Sequence, residues 1–146
     1  MRDAQTRAAI ASLHGVLDNG AVTAAWEAAL HAPAWPGLPV WIHGDLQSEN
    51  MLAVQGRLRA VIDFGCLGVG DPAYDAMAAW LYLPAETRPV FRAALRVDDT
   101  TWARGRGLAL SVGLIALPYY QETNPVLAGI ARLAIEAVLA DDHTGM

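Results

Sequence analysis

The stretch that decides the fold is Val40-Trp41-Ile42-His43-Gly44-Asp45-Leu46-Gln47-Ser48-Glu49-Asn50, followed by Val61-Ile62-Asp63-Phe64-Gly65 and Gly70-Asp71-Pro72-Ala73-Tyr74-Asp75. Three polar residues, Asp45, Asn50 and Asp63, are bracketed by apolar β-type residues, Val40-Trp41-Ile42 on one side and Val61-Ile62 on the other. Continuous apolar runs of this kind read as strands buried on both faces, and polar groups at strand ends are placed for chemistry rather than packing.

Working outward, Met51–Val54 and Leu58–Ile62 read as two strands joined by Gln55-Gly56-Arg57, a hairpin signal. Gly65 to Gly70 reads as a glycine-rich turn, and Asp71-Pro72 as a helix start with Asp as cap and Pro at the first helical position, the helix running to about Leu83. Upstream, the periodicity predicts a helix over Asp3–Leu17 ended by Asp18-Asn19-Gly20, then a second one capped by Thr23 and running to about Leu30. Downstream it predicts helices over Glu86–Arg96, over Thr100–Leu117 with Asp98 or Asp99 as cap, and over Val126–Leu139, with Asp141 to Met146 frayed. The expected class is α+β and mostly helical, with a small strand cluster carrying the loop.

Size and composition bound the function. The 146 residues make one domain, and 54% hydrophobic against 17% charged residues supply one sizeable core. A net charge of −5 argues against a nucleic-acid partner held by phosphate contacts and suits a cationic small molecule. No apolar run spans a bilayer: the longest, around Leu108–Leu117, is interrupted by Gly113 and stopped by Pro118. The N-terminus lacks the apolar core of a signal peptide. Together with one cysteine, Cys66, read as a small packed residue, this predicts a cytoplasmic protein with no membrane partner. All 10 basic residues are arginine.

The segments His43-Gly44-Asp45 to Asn50, Val61 to Gly65 and Gly70 to Asp75 together resemble the aminoglycoside phosphotransferase family, small-molecule kinases with a protein-kinase-like fold. The resemblance implies a kinase-like C-terminal lobe, with Asp45 as catalytic base, Asn50 and Asp63 as ligands of Mg²⁺ and of the ATP phosphates through it, and His43 and Gly65 in support. It also implies a hydroxyl-bearing acceptor: an aminoglycoside, macrolide, amino alcohol or sugar. The chemistry suits the residues, because phosphoryl transfer is mostly positioning and charge neutralisation, with one carboxylate to orient the hydroxyl and oxygen ligands for the metal.

Other readings of the same residues are local. Asp45 can cap a turn, Asn50 can bond its own backbone, and His43 can act as a base or brace the loop. Asp71 and Asp75 read as cap and helix-face residues, or as acidic groups of a substrate pocket. Trp80, Tyr82, Tyr119 and Tyr120 read as core or rim rather than substrate stackers. Gly44 stands where protein kinases usually have Arg, and there is no room for an activation loop between Asp63 and Asp71, which favours a small-molecule kinase. Ser48-Glu49 replaces the Pro-Gly common in the resembled family. The chain carries no lysine and no strand pattern before residue 40, so the N-terminal ATP lobe of such kinases is expected to be absent, the isolated chain inactive, and the surface that lobe would cover a route to self-association. The rival classes are a non-catalytic binding module derived from a kinase lobe and a metal-dependent hydrolase.

Overall fold

The computed structural model describes residues 2–142. Helices α1 (Asp3–Ser12) and α2 (Asn19–His31) precede β1 (Val40–Ile42). A hairpin of β2 (Met51–Val54) and β3 (Arg57–Val61) follows, then β4 (Gly68–Gly70). The remainder is helical: α3 (Ala73–Ala76), α4 (Ala78–Tyr82), α5 (Arg88–Leu95), α6 (Asp99–Tyr120) and α7 (Pro125–Asp142). Two antiparallel two-stranded sheets, β1–β4 and β2–β3, complete a mostly helical α+β chain.

Helix α6 is the axis of the body, packing against α1, α2, α3, α4 and α7. Its Ala109, Leu110, Leu114 and Leu117 join Val22 and Trp26 of α2 and Ile135 and Val138 of α7 in one buried cluster. Close approach is bought with glycine. A Cβ on Gly107 would lie 2.5 Å from the Cβ of Ala29, and one on Gly113 would lie 2.9 Å from the Ala131 carbonyl. Each glycine costs helix propensity of about 1 kcal/mol, and the packing it permits offsets that. Buried polar groups are paired: the Thr6 and Ser111 hydroxyls share a 2.7 Å hydrogen bond, and Trp26 Nε1 donates to Asp3 Oδ1 at 2.9 Å.

Several boundaries differ from the expected ones. Helix α1 ends at Ser12, five residues before Leu17, and Gly15 turns the chain in the left-handed region at φ +81°. Asp18 belongs to the next helix rather than ending the first: its carboxylate accepts the Ala21 N–H, so the cap of α2 is Asp18 and Thr23 lies inside. An Asp-Asn-Gly run is ambiguous because the same residues that end a helix can cap one. Asp98 caps α6, its Oδ1 accepting the Thr101 N–H at 2.7 Å. That helix runs through Gly113 and past Pro118 to Tyr120. Pro118 sits in the last turn, where its missing N–H removes a single helical bond.

At the other end, Asp141 is not frayed: it accepts Trp80 Nε1 at 2.6 Å and the Arg88 guanidinium at 2.9 Å. The frayed segment expected beyond it, residues 143–146, lies outside the described residues. Among the described residues no helix is long and apolar enough to cross a membrane.

The hairpin forms where expected, with Gln55 and Gly56 both at positive φ, as a tight two-residue turn requires. Strand β4 was not expected. Gly68-Val69-Gly70 has little strand preference, and its pairing with β1 (Val40 with Gly70, Trp41 with Val69, Ile42 with Gly68) makes it a strand. The strands are also not buried on both faces. Trp41 is 73% exposed, and Leu52, Val54, Leu58, Ile62 and Val69 are exposed as well. The apolar runs form thin sheets of two strands each, so they have no second layer to bury them. Cys66, expected to be packed, is exposed.

Candidate active site

The loop of residues 43–50 leaves β1 and returns to β2, and it is held from both sides. From the helical side, the Asp75 carboxylate accepts the His43 N–H on one oxygen and the Gly44 N–H on the other, both at 2.9 Å. Gly44 takes φ +79°, and a Cβ there would lie 2.6 Å from the Cys66 carbonyl oxygen. An arginine is therefore excluded by backbone geometry and by space. From the strand side, His43 is 7% exposed and both ring nitrogens are engaged. Nδ1 accepts the Asp45 N–H at 3.3 Å, and Nε2 donates to the Ile62 carbonyl at 3.0 Å. Its ring also lies 4.7 Å from the Phe64 ring.

Asp45 and Asn50 are in direct contact. The Asn50 amide, 5% exposed, donates from Nδ2 to the Asp45 carbonyl at 2.9 Å and to Asp45 Oδ2 at 3.1 Å. Gln47 Nε2 donates to the same Oδ2 at 3.1 Å. Two amides thus crowd one carboxylate oxygen and fix the orientation of the group. The Ile62 N–H donates to the Asn50 carbonyl at 2.9 Å, so Ile62 binds His43 and Asn50 at once.

Asp63 sits between Ile62 and Phe64, the two residues that dock on the loop. It has φ +58°, in the left-handed region uncommon for a non-glycine residue, and its Oδ1 accepts the Gly65 N–H at 3.3 Å. A Cβ on Gly65 would come within 3.2 Å of that oxygen. Asp63 is exposed and makes no hydrogen bond to Asp45 or Asn50; its placement comes through its neighbours.

As a donor set, Asp63 and Asn50 fit Mg²⁺. They offer a carboxylate and an amide carbonyl, both hard oxygen donors, and both hydrogen bonds of the Asn50 side chain to Asp45 come from Nδ2 rather than Oδ1. Among the described residues there is no group of three or more His, Cys, Asp or Glu side chains able to hold an ion alone. An ion held here needs further oxygens from outside the protein, the usual arrangement for magnesium beside a nucleotide.

Asp71 and Asp75 are both engaged within the protein. Asp75 spends both oxygens on the loop. Asp71 forms a two-point pair with Arg104, at 2.7 and 3.1 Å, and caps the turn into α3 through the Ala73 N–H at 2.9 Å. Arg104, 4% exposed, also donates to the Pro33 carbonyl, tying α6 to the irregular segment before β1. Asp71 still borders a cavity of about 350 Å³ with Trp35, Tyr74, Arg104 and Leu108.

Two residues stand beside Asp45 that have no site role on sequence grounds, Gln47 within the loop and Tyr82, expected as core or rim. Gln47 bonds its carboxylate, and Tyr82 lines a small cleft with Asp45, Leu46 and Tyr74. The Tyr82 hydroxyl is pushed up to about 12, first by burial and then by the negative charges of Asp45 and Glu49. Gln47 was legible as a polar residue inside the loop. Tyr82 comes from a helix 37 residues away from Asp45 and carries no local signal.

A family model described as the phosphotransferase enzyme family matches residues 2–108, a span that includes the whole loop, Asp63, Asp71, Asp75 and Arg104. No curated protein and no solved structure matches the chain.

Proposed function

This chain belongs to the phosphotransferase enzyme family, and from that premise we propose that it transfers the γ-phosphoryl group of ATP to a hydroxyl of a small molecule. The observation that supports this most is the direct Asp45–Asn50 contact in a loop bonded to the strand end that carries Asp63.

In this reading Asp45 is the base. Its Oδ2 is occupied by the Asn50 and Gln47 amides, so Oδ1 faces the acceptor and takes the hydroxyl proton. The alcohol oxygen then bonds to the γ-phosphorus as the bond to the β-phosphate oxygen breaks and ADP leaves. Asn50 and Asp63 would hold Mg²⁺, which would supply neutralisation of the phosphate charge. His43 is a positioning residue: its two ring bonds fix Asp45 against Ile62. The acceptor reading places Asp71, Trp35 and Tyr74 around the incoming molecule, with Tyr82 beside Asp45; Asp75 acts only through the loop backbone. The helical body with its loop corresponds to a kinase-like C-terminal lobe. No lysine is present, and the described residues hold no strand before β1, so the cover over the nucleotide phosphates is assigned to an element outside these residues.

Calorimetry with ATP tests the site. Binding should require Mg²⁺, and both Asp63→Ala and Asn50→Ala should remove that requirement together with most of the affinity. Nucleotide binding indifferent to both substitutions would sink the assignment and favour a non-catalytic binding module. In any preparation that phosphorylates an acceptor, Asp45→Ala should lower kcat by a factor of about 10² to 10⁴.

A further inference from the structure

We propose that the cavity between α5, the start of α6 and the end of α7 is a second ligand site, for a small organic oxyanion carrying an aromatic or apolar body. The cavity measures about 470 Å³, within the usual range for small-molecule sites, and shares no lining residue with the catalytic loop.

Its charge runs against that of the chain. Arg88 and Arg92 on α5 and Arg96 just past its end recur every fourth residue and all line the cavity, in a protein of net charge −5 with only 10 basic residues. The three have different surroundings. Arg88 is 8% exposed and structural: its Nε donates to the Ala79 carbonyl, and Nη1 pairs with Asp141. Arg92 pairs with Asp99, a carboxylate 96% exposed, so the tether is a surface ion pair that a ligand can replace at little cost. Arg96 has no carboxylate partner among the described residues; it ends the helix in the left-handed conformation at φ +55°. Three guanidiniums against Asp141 and Asp99 leave one positive charge, and exchange of Asp99 for a ligand exposes a second.

The rest of the wall sets the ligand's body. Trp102 lines the cavity, with the Arg92 guanidinium 5.5 Å from its ring centroid, and Ala85, Pro89, Ala93 and Val97 add apolar surface. Guanidinium forks match phosphate and carboxylate oxygens in paired hydrogen bonds, and the Trp102 indole, itself packed against Trp80 with ring centroids 4.5 Å apart, adds apolar aromatic surface to the wall.

Calorimetry in EDTA, which silences any magnesium-dependent site, tests this with phenyl phosphate, benzoate and the uncharged control phenol. Wild type should bind at least one of the two anions and not phenol, with affinity falling as salt rises. Tighter phenyl phosphate identifies a phosphate ligand, and tighter benzoate a carboxylate. Arg96→Gln, which breaks no side-chain hydrogen bond or ion pair among the described residues, should weaken binding about threefold. Arg92→Gln combined with Arg96→Gln should weaken it about tenfold or more, while Arg57→Gln on the hairpin leaves it unchanged. The indole N–H resonance of Trp102, assigned by its loss in Trp102→Phe, should shift on titration. Equal affinity in the double variant, equal binding of phenol, no binding of either anion at millimolar concentration, or a silent Trp102 resonance overturns the proposal.

Discussion

In the helical body Trp26, Leu110, Leu114 and Ile135 are sealed from solvent, while in the strand layer Trp41, Leu58 and Val69 are more than half exposed. The residue types are alike; the number of neighbours to pack against is not. Helix α6 offers every surrounding helix a face, whereas each sheet has two strands and no layer above it. The loop of residues 43–50 lies between these two regions, pinned to the body through Asp75 and to the strands through His43 and Ile62.

The difference can be broken most visibly by truncating one tryptophan from each region. Trp26→Ala should cost about 3–5 kcal/mol in urea unfolding, because it empties a packed site and removes the Trp26–Asp3 hydrogen bond. Trp41→Ala should stay within about 0.5 kcal/mol. Similar losses for both would mean that the strand layer is covered in solution, and sedimentation over a concentration series would then show self-association.

The seam is tested next. Asp75→Asn keeps the size of the side chain but turns one acceptor into a donor facing a backbone N–H. It should destabilise by about 1.5–3 kcal/mol and speed amide exchange at His43 and Gly44 more than within α6. Uniform exchange changes would show that the loop is not held from the helical side.

A smaller effect concerns pH. Tyrosine in the unfolded chain ionises near pH 10. Tyr82 in the folded protein keeps its proton to about 12. Between these values the unfolded state has lost a proton that the folded state keeps, so stability falls as pH rises through that window. Tyr82→Phe should remove this part of the alkaline loss and delete the highest-pH step from the phenolate absorbance titration. An unchanged titration would place Tyr82 in water, away from Asp45.

What could be read from the chain and what could not divides along the same seam. The loop was legible because its contacts are local: Asn50 reaches Asp45 across five residues, and Gln55-Gly56 makes its own turn. The hidden features join distant parts. Arg104 clamps Asp71 from 33 residues away, Asp141 caps Trp80 from 61, and Tyr82 closes on Asp45 with no pattern to announce it. Strand β4 was hidden for a related reason, since two of its three residues are glycine and only β1 makes it a strand.

By itself the sequence determined the mostly helical α+β class, the hairpin, the apolar stripes of the long helices and the order Asp45, Asn50, Asp63. These follow from periodicity, turn chemistry and spacing, which act over a few residues. Only the tertiary structure decided that the apolar strands stay exposed, that Asp71 and Asp75 are engaged by Arg104 and the loop backbone, and that Arg88, Arg92 and Arg96 meet Trp102 around one cavity. Burial and charge pairing depend on which surfaces meet, and no local pattern records that.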